Sequence, residues 1–365
     1  MASHDSGSDH PSNLLYRDTY FNSSYDPDPD LLITIPPDFS DDNYAHGRGK
    51  MDALLQTNLP NCHLPILLVN DIVFGGSDDG SNLTGIAATA SGSSIFVIHE
   101  CGHVLANLGD EYTSEFPGYP DTEEPNTTTQ TNFDAIKWKA WINTNTTPIP
   151  TPETATYIND AGLFEGAHHH SDGWYRPQIN CAMGNFSSPF CAVCSEALVL
   201  SFYRQVRPVD GFTPAATNLS LASPQMLTFT LKLVQPATDD LTVQWFTNGI
   251  YSVGATNQSF AVELGLGAGG VTNVSARVKD ETPLVRTDSD YVLAQTVTWS
   301  VNAGALSPSF SFNIISLAIN FEQQRNEATK FLASFVSWFL CCSFYFFTVG
   351  ELAGCVPSCF APSKM

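Results

Sequence analysis

Two histidines and a glutamate in one short stretch have the spacing of a catalytic zinc site. The stretch reads His99-Glu100-Cys101-Gly102-His103. Because an α-helix completes a turn in about 3.6 residues, His99 and His103 project from one face and can bind the same Zn²⁺ ion. Glu100 lies beside that face, where its carboxylate can take a proton from a zinc-activated water and pass it to a leaving amine. The structural alternative is a helix with two ordinary hydrogen-bonded histidines.

The third metal ligand is predicted to be Asp110. Gly109 is expected to take the left-handed conformation that ends the helix and reverses the chain, so that the next side chain points back toward the metal. Asp110 is short enough to ligate from that turn. Glu111 is expected to face away and brace a histidine ring from outside the coordination sphere. Two histidines, one carboxylate and an open fourth position are typical of a catalytic zinc site.

The elements that position these residues are predicted to form an α+β domain over residues 1–206. Apolar runs and helical periodicity predict strands at 65–70 and 85–90, a helix from 91 to 109, a short helix at 133–142 within a long surface loop (113–160), and a second helix at 190–206.

The apolar pattern then changes to a period of two, which predicts an all-β domain over residues 207–302. Short alternating runs recur at roughly ten-residue spacing with Gly-rich turns between them, which is typical of an immunoglobulin-like β-sandwich. The apolar positions of these runs are Leu227-Phe229-Leu231, Leu241-Val243-Trp245, Phe260-Val262-Leu264, Val274-Ala276-Val278 and Val297-Trp299-Val301.

The composition excludes several classes of function. Hydrophobic residues make up 43% and charged residues 14%, which indicates a mainly globular chain. The formal charge of -22 argues against nucleic acid and anionic membrane surfaces as partners. The sequence has no Gly-rich phosphate loop followed by Lys and Ser/Thr, so nucleotide hydrolysis has no support.

Glycosylation sequons favour a secreted or extracellular protein, whereas the N-terminus lacks a signal peptide and is expected to be incomplete. A cytosolic protein rich in Asn, Ser and Thr is the alternative. The Asn-x-Ser/Thr sequons lie at Asn22, Asn82, Asn126, Asn145, Asn185, Asn218, Asn257 and Asn273.

The tail, residues 303–365, contains a 20-residue run without a charge at 331–350, long enough to span a bilayer. A membrane segment, a removable glycolipid-anchor signal and a gene-model artefact are the three interpretations. Membrane contact is expected only through this run.

Four stretches, in order along residues 15–205, resemble the IgA-peptidase family of zinc metallopeptidases. They are Leu68-Val69-Asn70 with Phe74-Gly75-Gly76-Ser77, then His99 to His103 with Leu108-Gly109-Asp110-Glu111-Tyr112, then Phe164-Glu165-Gly166-Ala167 with Tyr175-Arg176-Pro177, and Cys181-Ala182-Met183 with Phe190-Cys191-Ala192-Val193-Cys194.

The resemblance implies a metzincin-like fold, in which a mixed sheet covers the active-site helix and a methionine turn lies beneath the metal. Met183 would be that methionine. Common metzincins place a third histidine six residues after the second, a position that Gly109 occupies here. Tyr175 would polarise the tetrahedral intermediate, as tyrosines do in some metzincins.

The cysteines and the remaining histidines have less certain roles in this family pattern. Cys181, Cys191 and Cys194 lie close enough in sequence for a disulfide that ties the methionine turn to the last helix. A second zinc site is the rival interpretation, against which only one Cys-x-x-Cys is present. Cys101 is expected to be buried and inert. His168-His169-His170 are expected to form a solvated turn, and one of these histidines could line the cleft.

These observations predict a zinc endopeptidase with Glu100 as general base and then acid. A protein or peptide substrate is expected to lie extended in the cleft and to pair with a sheet-edge strand near residues 76–90. The alternative is a non-catalytic surface or adhesion protein with a structural or relic zinc. The presence of Glu100 favours the enzyme, since a non-catalytic protein has no need of a carboxylate there.

Overall fold

The computed structural model describes most of the chain up to residue 303. The described residues are 6–26, 33–35, 47–62, 64–78, 85–88, 93–221, 225–237, 240–264 and 271–303. Within them, no helix is both long and apolar enough to cross a membrane. The predicted hydrophobic segment 331–350 lies outside the described residues.

The first part of the chain is mixed α and β. Its elements are β1 (Ser24–Tyr25), β2 (Ile33–Thr34), α1 (Gly47–Asn58), β3 (Ile66–Val69), β4 (Gly76–Asp78), β5 (Gly85–Ala88), α2 (Ser93–Ala106), β6 (Phe164–Ala167), β7 (His170–Arg176) and α3 (Ala192–Gln205). β5 is the middle strand of a mixed sheet, parallel to β3 and antiparallel to β4. The predicted strands at 65–70 and 85–90 correspond to β3 and β5.

Helix α2 ends three residues earlier than the sequence predicts. It stops at Ala106, and Asn107 takes the left-handed conformation with φ 51°. Asn tolerates this conformation better than most residues, so it can end a helix as Gly does. Gly109 is not left-handed. A Cβ at Gly109 would lie 2.7 Å from the carboxyl carbon of Glu124, so this glycine serves the close approach of another loop.

The segment predicted as a surface loop, 113–160, contributes to the core. Instead of one helix at 133–142 it has 3-10 turns at Phe133–Ala135 and Lys139–Trp141. Trp138 is 1% exposed, and its indole N–H donates to the carbonyl of Gly162 at 2.7 Å. Hydrophobic burial therefore holds this Thr- and Pro-rich segment against α3 and the β6–β7 hairpin.

The second part is a β-sandwich. Its strands are β8 (Val209–Thr213), β9 (Asn218–Leu221), β10 (Gln225–Leu233), β11 (Leu241–Thr247), β12 (Ile250–Tyr251), β13 (Ser259–Leu264), β14 (Val271–Asp280) and β15 (Ala294–Ala303). They form one sheet in the order β13-β10-β8 and another in the order β12-β11-β14-β15-β9. Trp245, Trp299 and Phe229 are fully buried between the sheets, as the alternating pattern predicts.

The two parts meet along α3. Val199 and Tyr203 of α3 form a buried cluster with Val292 and Leu293, which precede β15. The carboxylate of Glu196 accepts the backbone N–H groups of the segment before that cluster, at 2.6 Å from residue 286 and 2.7 Å from residue 287. The predicted boundary at 206/207 therefore falls between elements that share contacts, and the division into two domains there stays a prediction.

Candidate metal centre

The two histidines of α2 face each other across a small gap. One helical turn separates them, and their Nε2 atoms lie 3.0 Å apart. His99 Nδ1 donates to the carbonyl of Ala182 at 3.0 Å, and His103 Nδ1 donates to the carbonyl of Leu108 at 2.6 Å. A carbonyl only accepts hydrogen bonds, so each neutral ring carries its proton on Nδ1 and its lone pair on Nε2. Both Nε2 atoms are therefore available as metal ligands.

Asp110 completes this group. Its Oδ1 lies 3.1 Å from Nε2 of His99 and 3.5 Å from Nε2 of His103. One ligand atom from each of the three side chains lies within 4.8 Å of the others. With both rings neutral and protonated on Nδ1, the buried Oδ1 accepts no hydrogen bond among the described residues. A buried carboxylate oxygen that faces two imidazole lone pairs fits a cation between them.

His103 and Asp110 shift the pKa of each other. Burial lowers the pKa of His103, but the hydrogen bond and the charge of Asp110 outweigh it and raise that pKa to about 10. Burial raises the pKa of Asp110, yet the hydrogen bond and charge of His103 hold it well below its usual range. A metal ion that binds here must therefore displace a proton from His103.

His169 contacts the second carboxylate oxygen of Asp110, Oδ2. Its Nε2 lies 3.3 Å from Asp110 Oδ2, and the hydroxyl of Tyr119 donates to the same oxygen at 3.5 Å. These contacts occupy Oδ2 and leave Oδ1 to the α2 histidines. Partners of this kind fix the orientation of a metal ligand.

The three consecutive histidines lie at a turn, as predicted, but His168 is buried there and not solvated. His168 and His169 are the two central residues of the β6–β7 hairpin, with φ 55° and 57°, which is the type I′ conformation. His168 is fully buried, stacks on Trp174 at 3.9 Å, and lies 3.1 Å from Glu124 Oε2. The flanking strands do not alternate between buried and exposed residues, and His is a weak marker for a turn that favours Asn or Gly, so the sequence offered no clear signal for this hairpin.

Glu100 follows His99 on α2 and is buried. Its negative charge acts on the site, since it contributes to the raised pKa of His103 and to that of Tyr112. Cys101 is fully buried, and burial raises the pKa of its thiol to about 12, which fits the inert role predicted for it.

Met183 lies under α2 and is fully buried. Its sulfur would be 2.7 Å from a Cβ at Gly102, so the missing side chain of Gly102 lets the Met183 turn approach the helix. The preceding residue, Ala182, supplies the carbonyl that orients His99. The turn thus supports the histidines without offering a ligand.

The tyrosine that lies beside the histidines is Tyr112, whereas the family resemblance implied Tyr175. The hydroxyl of Tyr175 donates to Glu165 at 3.5 Å across the hairpin, and its ring packs in the same core as Trp138 and Leu163. Tyr112 is the tyrosine beside the histidines, with its ring centroid 5.8 Å from that of His99. Burial, Asp110 and Glu100 raise the pKa of Tyr112, so its hydroxyl keeps its proton.

An aromatic group beside His99 was not predicted from the sequence. The ring of Phe186 lies 4.9 Å from that of His99, and Phe96 lies 4.7 Å from Phe186. Phe74 packs on Phe96 at 4.9 Å. Phe74 belongs to the loop between β3 and β4 and Phe186 follows the methionine turn, so no local pattern joins them.

Asn126 fixes the chain that follows α2. Its side chain accepts the N–H of Gly109 at 2.7 Å and donates to the carbonyl of Gly109 and to Glu111 Oε1, both at 2.9 Å. Asn126 is fully buried, so this sequon cannot carry a glycan in the folded protein. Among the described residues, the exposed sequon asparagines are Asn145, Asn185, Asn218, Asn257 and Asn273.

Glu111 does not brace a histidine. It turns away from Asp110 and lies against Cys194, whose Sγ is 3.6 Å from Glu111 Oε1. Cys181, Cys191 and Cys194 are buried and free. The expected disulfide is not formed, since the sulfurs of Cys181 and Cys194 are 3.5 Å apart and a disulfide bond is about 2.05 Å long.

Three side chains that converge for a metal ion, with a buried carboxylate next to them on the same helix, form the kind of site found in metal-dependent hydrolases. The chain belongs to the IgA peptidase M64 family, whose sequence model matches residues 2–161 and 153–202, the part that contains this site. It is therefore a peptidase. A comparison with curated proteins found no match.

Proposed function

We propose that this peptidase is a zinc-dependent endopeptidase whose metal is held by His99, His103 and Asp110. The observation that carries the proposal is the convergence of two imidazole Nε2 atoms and one buried carboxylate oxygen within 4.8 Å. The mixed sheet, α2 and the Met183 turn support a metzincin-like arrangement around it.

Zinc bound by these residues would lower the pKa of a water in its open position to about 7 and polarise the scissile carbonyl. Glu100 then accepts a proton from the attacking water and transfers it to the leaving amine. The burial of Glu100 suits this task, because a carboxylate shielded from bulk water exchanges its proton with the reacting groups.

Tyr112, and not Tyr175, would polarise the tetrahedral intermediate. Its protonated hydroxyl can donate a hydrogen bond to the oxygen that becomes negative as the peptide carbonyl is attacked. The position of its ring, 5.8 Å from that of His99, supports this assignment.

The substrate is proposed to bind as an extended strand along β4. In the three-stranded sheet of the described residues β4 lies at one edge, and peptides can pair with the edge of a sheet. Phe186 and Phe96, next to His99, would supply an apolar subsite. The exposed sequons support a proposed secretory or extracellular location.

The test compares the full chain with Glu100→Gln and with a control, Glu263→Gln, which changes an exposed carboxylate on β13. We expect Glu100→Gln to retain zinc and to lose casein or gelatin cleavage by orders of magnitude, because only the proton shuttle is removed. The control should match the wild type, and a chelator should abolish its activity. A fully active Glu100→Gln would refute the mechanism. A zinc-loaded wild type that cleaves no protein would favour the binding-protein alternative.

A further inference from the structure

Three cysteines and a glutamate converge at the base of the metal centre. Cys181 and Cys194 have their sulfurs 3.5 Å apart, and Cys194 Sγ is 3.6 Å from Glu111 Oε1. One ligand atom from each of Glu111, Cys181, Cys191 and Cys194 lies within 4.8 Å of the other three, and all four residues are buried. We name these four residues the cysteine–glutamate cluster.

We propose that the cysteine–glutamate cluster binds a second zinc ion with a structural role. Thiolate sulfur selects soft or borderline metals such as zinc over magnesium or calcium. Four protein ligands without an open position are typical of structural zinc sites. In a tetrahedron with Zn–S bonds of about 2.3 Å, sulfur atoms lie about 3.8 Å apart, close to the separation of Cys181 and Cys194.

A second observation is the carboxylate of Glu111. The residue is 4% exposed, and its Oε2 is buried without a hydrogen-bond partner among the described residues. Asn126 satisfies Oε1 at 2.9 Å. A buried carboxylate oxygen without a partner is unfavourable, and a cation among the adjacent sulfurs would satisfy it.

Backbone N–H groups favour thiolates at this position. The N–H of Cys191 donates to Cys181 Sγ at 3.4 Å, and the N–H of Cys194 donates to Cys191 Sγ at 3.5 Å. Cys191 is also the N-cap of the 14-residue helix α3, where the helix dipole favours negative charge. Such hydrogen bonds to ligating sulfurs are the outer contacts that stabilise metal-thiolate sites.

The second zinc would join three segments that shape the first site. Glu111 comes from the chain after α2, Cys181 from the methionine turn, and Cys191 and Cys194 from the start of α3. Glu111 follows Asp110 directly, and the residue after Cys181 is Ala182, whose carbonyl orients His99. The proposed ion thus has a positioning role for the α2 site without contact with substrate, and its existence does not depend on the proposed activity.

Metal content and cobalt spectra of the full chain, purified without reductant, test the proposal. The wild type is expected to hold two Zn²⁺ ions per chain, and Cys181→Ser and Glu111→Gln one. The double variant His99→Ala/His103→Ala should also hold one. Cys62→Ser, which changes an exposed cysteine, should retain two. After replacement by Co²⁺, thiolate-to-cobalt charge-transfer absorption should persist in the histidine variant and disappear in Cys181→Ser.

The spectra of the wild type and of the histidine variant decide the matter even if Cys181→Ser fails to fold. Absence of the thiolate band in both would overturn the proposal, whether non-reduced peptide mapping finds a Cys181–Cys194 disulfide or only free thiols. A thiolate-bound ion as the sole metal would support the second site and contradict the zinc endopeptidase proposal. An ion bound only by the histidine site would contradict the second zinc site and agree with the zinc endopeptidase proposal.

Discussion

Asp110 and Glu111 are neighbours in the chain, but their carboxylates face two different clusters. Asp110 Oδ1 lies 3.1 Å from His99 Nε2, whereas Glu111 Oε1 lies 3.6 Å from Cys194 Sγ. The backbone N–H of Glu111 donates to the carbonyl of Met183 at 2.8 Å, which fixes the chain between them. Two adjacent residues thereby connect the histidine site to the cysteine–glutamate cluster.

Asp110→Asn is expected to lower the zinc affinity of the histidine site and to leave thiolate-bound cobalt unchanged. The amide keeps the shape of the side chain but removes the charge that attracts the cation. Competition with a chromophoric chelator measures the affinity. Unchanged affinity of the histidine site would exclude Asp110 as a ligand.

His169→Asn should weaken zinc binding by about 10- to 100-fold, the usual cost of losing an outer partner of a metal ligand. The reason is that Asp110 Oδ2 loses the imidazole 3.3 Å away and the carboxylate can rotate. His170→Asn, in the same hairpin, is the matched control and should bind zinc like the wild type. Equal losses in both variants would indicate damage to the hairpin instead.

Tyr112→Phe should lower kcat by about 10²- to 10³-fold, as does the loss of one hydrogen bond to a developing oxyanion. Zinc content should not change, because Tyr112 is not part of the converging group. Tyr175→Phe is the comparison, and its hydroxyl pairs with Glu165. A larger loss of kcat in Tyr175→Phe would return the role to that residue.

Gly109→Ala should destabilise the protein by about 1–3 kcal/mol, the usual cost of overpacking a filled site. The new methyl group would lie 2.7 Å from the carboxyl carbon of Glu124 and 3.0 Å from Thr127 Cγ2. At Gly211 the nearest atom would be 3.9 Å away, so Gly211→Ala serves as the control. Thermal unfolding of the three proteins measures the difference, and equal melting temperatures would contradict the packing argument.

Glu196→Ala should lower the free energy of unfolding by about 1–3 kcal/mol, since two backbone N–H groups lose their acceptor. The same carboxylate accepts the indole N–H of Trp141, so the loss affects both parts of the chain. Denaturant unfolding measures it, with the exposed Glu263→Ala as control. If the β-sandwich unfolds at the same denaturant concentration in Glu196→Ala and in the wild type, the two parts of the chain unfold separately.

Much of the fold was predictable because the relevant patterns are local. The spacing of His99 and His103 follows from helical geometry, and the alternation around Val243-Trp245 or Val297-Trp299 marks strands with one buried face. The prediction of a surface loop around Trp138 is wrong, since the polar composition of this Thr- and Pro-rich segment conceals the few apolar residues that bury it.

The sequence by itself determined the two histidines, Glu100 and the nearby acidic pair, because these depend on residue type and on a spacing of a few residues. The sequence also predicted that Asp110, and not Glu111, joins the histidines, but it based this choice on a left-handed Gly109, which the structure does not have. Only the tertiary structure decided how this arrangement is reached: it depends on Asn107, which ends α2 before Gly109, and on Asn126, which binds the backbone of Gly109 from a distant loop. The positions of His169, Phe186 and Cys194 likewise follow from packing between segments far apart in the chain. Their distances from His99, Asp110 and Glu111 are set by the free energy of burial and not by local spacing.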